Sequence, residues 1–173
     1  MRYFSGFGLD GEAALFDEIV APYEENPYVV AGFSYGAVKA VEHVYGGCER
    51  VERLILLSPA YFVGRGRAFV KTQMIYFRKD RSAYLEKFLE NATYPAHKCL
   101  LDRYLADAND SELEELLTYP WPDEKLRGIQ RRGTKIETYL GAKDKIVDAE
   151  AAHRFFKNFG ESYLFKEYGH ILR

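Results

Sequence analysis

The pentapeptide Gly32-Phe33-Ser34-Tyr35-Gly36 restricts this chain more than any other stretch. It has the form G-x-S-x-G, and it follows the apolar run Tyr28-Val29-Val30-Ala31, which reads as a strand covered on both faces. After it come Ala37-Val38-Lys39-Ala40-Val41, small and apolar residues that continue a helix to Tyr45, where Gly46-Gly47 ends it. A serine on a tight turn between a buried strand and a helix holds its hydroxyl above the sheet, and small flanking residues let the chain turn without clashes. Three fixed letters in five are a weak signal alone. The strand before and the helix behind supply the context the motif requires, and they weigh against an ordinary turn serine.

The rest of the chain repeats the strand-helix alternation. Arg2-Tyr3-Phe4-Ser5 reads as a first strand, followed by the loop Gly6-Phe7-Gly8 and a helix over residues 11–20, with Asp10 able to cap it and Pro22 helping to end it. Leu54-Ile55-Leu56-Leu57 is a second buried run, ended by Ser58-Pro59. Lys135 to Leu140 reads as a strand, Ala149 to Phe159 as a helix with the apolar stripe Ala152, Phe155, Phe156 and Phe159, and Tyr163 to Tyr168 as the last strand. Such alternation predicts an α/β fold, a parallel sheet with helices on both faces. Residues 60–133 depart from it and read as helices over 68–77, 82–90, 97–106, 111–117 and 124–130. At 173 residues the chain is expected to form one domain, with a core of residues 1–59 and 134–173 and a helical cap of residues 60–133 over the carboxyl ends of the strands.

A serine hydroxyl is a poor nucleophile at neutral pH and needs a positioned base. Of the four histidines, His43 and His153 fall inside helices and His97 follows Pro95 in the cap; all three read more simply as packing or surface residues. His170 stands in the loop just after the last strand, where this architecture would bring it over Ser34. The third partner must orient the imidazole and stabilise its positive charge. Asp144, in Gly141-Ala142-Lys143-Asp144, follows the penultimate strand at the right edge of the sheet. Its rival Asp148 stands immediately before a helix and reads as an N-cap, and Glu137 should point sideways from a strand. A tetrahedral intermediate also needs two donors aimed at its oxygen. The backbone N–H of Tyr35 supplies one, and Phe7 in the glycine-rich first loop occupies the natural position for the other.

Taken together, the loop SGFG, the elbow GFSYG, the strand LILLSP, the acid loop GAKD and the terminal GH resemble an α/β-hydrolase, over nearly the whole chain. The order Ser34, Asp144, His170 is the one that such enzymes show. The resemblance implies a truncated α/β-hydrolase fold of about five parallel strands, with several amino-terminal strands and one internal strand-helix unit missing. Ser5 stands where the family loop usually begins with His, which leaves backbone donation untouched. More closely, the opening FSGFG, the elbow GFSYGAVKA and the cap segment FVKTQMIYFRKDRSAYLEKF resemble the compact pimeloyl-[acyl-carrier protein] methyl ester esterases of biotin synthesis. That resemblance implies a serine carboxylesterase that releases methanol from the masked distal carboxyl of a carrier-bound pimeloyl chain. A general short-chain carboxylesterase, an acyl thioesterase and a catalytically idle carrier-binding module are the alternatives.

Charge distribution bears on the partner. Residues 61–90 hold seven basic and three acidic residues, a balance of +4 in a chain of net charge −2. A basic surface on an otherwise acidic protein suits an acidic partner, and Arg65, Arg67, Lys71, Arg78 and Lys79 are the candidates to dock an acyl carrier protein. Phe69, Met74 and Phe77 could line an apolar passage for the acyl chain or fasten the cap to the sheet. The net charge gives no sign of nucleic-acid binding, and no apolar run reaches the roughly 20 residues of a membrane span. The amino terminus lacks a signal-like stretch, so a cytoplasmic location is expected. Cys48 and Cys99 lie far apart, without metal-ligand spacing, and read as reduced thiols; no metal or cofactor is implied.

Overall fold

The computed structural model describes the backbone of residues 1–173 and every side chain but that of Lys98. Five strands, β1 (Arg2–Phe4), β2 (Val29–Phe33), β3 (Arg53–Leu57), β4 (Lys135–Gly141) and β5 (Glu161–Phe165), pair in parallel in that order to form one sheet. The five parallel strands expected are therefore present, with β5 beginning two residues and ending three residues earlier than the run Tyr163 to Tyr168. β2 and β3 are buried on both faces, which is why their sequences are apolar runs rather than alternating patterns.

Between β1 and β2 the expected single helix is broken up. A 3₁₀ turn (Glu12–Phe16), a one-turn α1 (Asp17–Val20) and a second 3₁₀ turn (Ala21–Tyr23) replace it. The residue ahead of the first turn is Gly11, at φ 72° with no side-chain cap, so Asp10 does not cap this segment. Pro22 is the second residue of the last turn, just past the end of α1. α2 (Tyr35–Gly46) follows β2 and lays Ala37, Val38, Ala40, Val41 and Val44 on the sheet. α7 (Ala149–Phe156) separates β4 from β5; Asp148 is its N-cap, accepting from the Ala151 N–H at 2.9 Å.

Four helices lie between β3 and β4: α3 (Arg67–Lys79), α4 (Arg81–Thr93), α5 (Asp110–Thr118) and α6 (Asp123–Arg131). The helix expected over 97–106 is not there; only 3₁₀ turns at Lys98–Leu100 and Asp102–Tyr104 form. The reason is a tertiary pairing. Asp10 N–H donates to the Tyr104 carbonyl at 2.8 Å and Ala106 N–H to the Gly8 carbonyl at 2.9 Å, so Leu105 bridges Leu9 in extended backbone.

Two apolar layers sandwich the sheet. One joins Val30, Leu54, Leu56 and Leu140 to α2, α6 and α7 and to Met74 and Phe77 of α3. The other joins Val29, Ala31, Ile55 and Leu57 to Leu15, Phe16 and Val20 on the broken segment and to Leu89 and Ala92 of α4. Trp121, 1% exposed, ties the loop before α6 to the end of β3 by donating its indole N–H to the Ala60 carbonyl at 3.1 Å. Among the described residues no helix is long and apolar enough to cross a membrane.

Candidate active site

Ser34 begins the turn from β2 into α2 with φ 53° and ψ −113°, a conformation that L-residues seldom adopt. Backbone bonds hold it there: its N–H donates to the Leu57 carbonyl at 2.9 Å, and its carbonyl accepts from Ala37 and Ala60, each at 3.1 Å. The flanking glycines are needed for approach. A Cβ on Gly32 would run into the Gly36 carbonyl, and one on Gly36 into the Phe4 carbonyl. The motif thus packs a turn against β1 that no larger residue would permit.

His170 follows β5 in the carboxyl-terminal loop and is fully buried, its ring 5.1 Å from that of Phe33. Its Nε2 lies 3.0 Å from Ser34 Oγ, and its Nδ1 lies 2.6 Å from Asp144 Oδ2. A carboxylate only accepts, so Nδ1 carries the imidazole proton and Nε2 accepts the hydroxyl proton of Ser34. Asp144 Oδ1 accepts from the N–H groups of Ile146 at 2.7 Å and Val147 at 3.1 Å, which fixes the carboxylate plane. The side chains of His170 and Asp144 are both shielded from solvent. Ser34, Asp144 and His170 therefore come together in one line, from three distant parts of the chain. The other histidines take no part: His43 meets Arg2 and Phe4, and His153 bonds Ser162. Glu137 pairs with Arg53 and accepts from Tyr139 at the side of the sheet.

The Phe7 and Tyr35 N–H groups have no acceptor among the described residues. Phe7 is 2% exposed, its ring packed between Phe77 of α3 and Phe88 of α4 at centroid distances of 5.9 and 5.8 Å. Tyr35, the residue after Ser34, sends its hydroxyl to Glu115 of α5 at 2.5 Å; burial and this carboxylate push the phenol well above its ordinary range. α5 is thus fastened to the first residue of α2, next to the serine, and α3 and α4 pack on the first loop through Phe7.

Two cavities flank α3. The first, about 680 Å³, runs between α3, α4 and α5 down to Ile146 beside Asp144, with Phe62, Phe69, Phe88 and Leu117 in its wall and Arg65, Lys79, Lys87 and Lys145 also lining it. The second, about 640 Å³, is a groove on the other flank, bounded by Met74 and by Arg65, Arg67, Lys71 and Arg78. Of the apolar candidates, Phe69 lines the first cavity and Met74 the second; Phe77 is fully buried against Phe7 and Tyr84 and lines neither. Of the basic candidates, Arg78 is engaged by Asp110 at 2.6 Å, and Lys79 faces the first cavity. No cluster of three or more His, Cys, Asp or Glu with metal-holding geometry occurs among the described residues. Cys48 and Cys99 are free and exposed.

No family model matches the chain. No curated protein matches it either. Solved structures do. An esterase from Exiguobacterium antarcticum superposes with a TM-score of 0.65 at 21% identity, over 96% of this chain and 72% of that one. A hydrolase from Oleispira antarctica gives 0.68 at 12% identity, over 98% and 83%. BioG from Haemophilus influenzae gives 0.59 at 15% identity, over 99% and 88%. At these identities the likeness establishes the fold: this chain has a truncated α/β-hydrolase fold.

Proposed function

We propose that the protein is a serine carboxylesterase that cleaves the methyl ester of a pimeloyl chain carried on acyl carrier protein. One observation carries the chemistry: the line from Ser34 Oγ to His170 Nε2, 3.0 Å, and from His170 Nδ1 to Asp144 Oδ2, 2.6 Å. Ser34 attacks the ester carbonyl while His170 takes its proton, and Asp144 stabilises the imidazolium. The N–H groups of Phe7 and Tyr35 receive the negative charge that develops on the carbonyl oxygen. The tetrahedral intermediate collapses, and methanol leaves with the proton from His170. Water, deprotonated by the same imidazole, then releases the acid.

Support for the substrate comes from the sequence and from the helices between β3 and β4. The opening loop, the elbow and the α3–α4 segment resemble compact pimeloyl-[acyl-carrier protein] methyl ester esterases. The first cavity has aromatic and aliphatic walls for an acyl chain, and the second presents Arg65, Arg67 and Lys71 to an acidic docking surface. Reach then selects the distal ester over the thioester, because the carrier protein is held one chain length from Ser34.

Mass analysis of a carrier protein bearing methyl pimeloyl, after incubation with the enzyme, tests the reading. Loss of one methylene-equivalent is expected, and Ser34→Ala should lower the rate by about 10⁴-fold or more. Loss of the whole acyl chain would replace the esterase with a thioesterase. An unchanged mass, together with no labelling of Ser34 by a fluorophosphonate, would remove the hydrolase reading altogether.

A further inference from the structure

Glu12 is fully buried in the 3₁₀ turn behind the first loop. Its Oε1 accepts from the Gly6 N–H at 2.8 Å and from the Tyr3 hydroxyl at 3.1 Å. Burial and this carboxylate together drive the Tyr3 phenol far above its ordinary range, so it remains a donor. Glu12 Oε2 is buried with no hydrogen-bond partner among the described residues. Burying a carboxylate is costly, and a position that served packing alone would be filled by an apolar side chain.

The peptide geometry shows what the carboxylate holds. Gly6 joins two peptide planes. The Ser5–Gly6 plane is fixed by its N–H on Glu12, and the Gly6–Phe7 plane by its carbonyl, which accepts from the Leu9 N–H at 3.2 Å. In a trans peptide the carbonyl and the N–H point in opposite directions. With the Gly6 carbonyl turned toward Leu9, the Phe7 N–H is directed the other way. Gly6 itself lies so close to Phe33, beside Ser34, that a Cβ there would meet the ring at 2.9 Å. A second clasp, Gly11 N–H to Ser5 Oγ at 3.0 Å, closes the loop from its far end.

From this geometry we infer that Glu12 is a positioning residue for the oxyanion donor: its carboxylate fixes the Ser5–Gly6 plane while the Leu9 N–H fixes the Gly6–Phe7 plane, and the two clamps together hold the direction of the Phe7 N–H relative to Ser34. The inference rests on the esterase reading and on Phe7 as a donor. Glu12 touches no reacting atom, so its effect reaches the chemistry only through the loop.

The test compares Glu12→Gln with Glu12→Asp in the full chain, using p-nitrophenyl acetate and the rate of fluorophosphonate labelling. Glutamine keeps an oxygen at the same reach, so kcat is expected to stay within about threefold. Aspartate is one methylene shorter and withdraws the acceptor; kcat and labelling are expected to fall by about 10- to 100-fold with KM within about twofold. A wild-type kcat in Glu12→Asp overturns the inference. So does an equal loss in both variants, which would make the charge, not the grip, the active feature. Should Glu12→Asp fail to fold, Glu12→Gln decides alone, a loss of about tenfold or more at constant KM counting against the inference. A wild-type protein inert to both reagents would sink the hydrolase reading and this inference with it; an active wild type with indifferent variants sinks this inference alone.

Discussion

β3 and α3 are consecutive in the chain and are built in opposite ways. In β3 the side chains of Leu54, Ile55, Leu56 and Leu57 are all fully buried, and both edges of the strand are taken by ladders to β2 and β4. α3 buries only Met74 and Phe77 and leaves Arg67, Lys71, Arg78 and Lys79 in solvent. A strand fixed on two faces and two edges cannot move by an ångström without breaking something. A helix held by a narrow stripe can change most of its surface at little cost. Groups that must meet at 3 Å therefore belong at the sheet's carboxyl edge, where Ser34, Asp144 and His170 stand, and groups that select a partner can sit on α3.

The sharpest way to break this comparison is to add one carbon on the sheet side. Gly36→Ala puts a Cβ into the Phe4 carbonyl, so β1 or the elbow must shift. Loss of fluorophosphonate labelling by about 100-fold or more, or failure to fold, is expected, because a misplacement of about an ångström at the nucleophile is that costly. Labelling at the wild-type rate would show that the elbow is softer than its packing suggests. On the helix side, two charges can be reversed with a different result. Arg67→Glu combined with Lys71→Glu should leave the melting temperature within a few degrees, since exposed substitutions typically change stability by about 0.5 kcal/mol or less. Hydrolysis of the carrier-bound ester should drop by about tenfold, with p-nitrophenyl acetate unaffected and with a weaker dependence on salt than the wild type shows. Equal losses on both substrates would take the docking surface away from α3.

What was readable beforehand follows the same division. The elbow, the strands and the two residues that join Ser34 are local signals: a G-x-S-x-G between a strand and a helix, and a residue one loop beyond a strand end. Their placement depends on strand order, and parallel alternation leaves few choices. Features set by long-range contact were not readable. Leu100, Leu101 and Leu105 have helical spacing, yet residues 104–106 pair with the first loop instead. Phe77 looks like a lining residue by its place on an amphipathic helix, but Phe7 and Tyr84 close over it. Glu12 carries no signal in sequence beyond an acid near a helix start. Only the approach of Gly6 reveals its use.

A polar seam joins α5 and α6 to α2, which lies on the sheet, and the seam supplies the smallest of the expected effects. Tyr35 of α2 donates to Glu115 of α5, Tyr119 donates to Glu42 of α2, and Lys125 of α6 reaches the same Glu42 at 2.5 and 2.7 Å. Burial first, and the facing carboxylates second, raise both phenols from 10.0. Below pH 10 the phenols are protonated in folded and unfolded chains alike and add nothing to the pH dependence. Above it the unfolded chain loses those protons first while the folded chain keeps them, so stability falls as pH rises. The melting temperature should therefore decline more steeply between pH 10 and 11 than between pH 8 and 9. Tyr84, pushed up to about 12, and Tyr3 add to the same slope. Replacing Tyr35 and Tyr119 together by Phe should lower the melting temperature at pH 8, because Glu115 and Glu42 lose donors, and should flatten the decline above pH 10. A decline as steep in the double variant as in the wild type would mean that the alkaline weakness lies elsewhere and that these phenols are not what fastens α5 and the segment leading to α6 to α2.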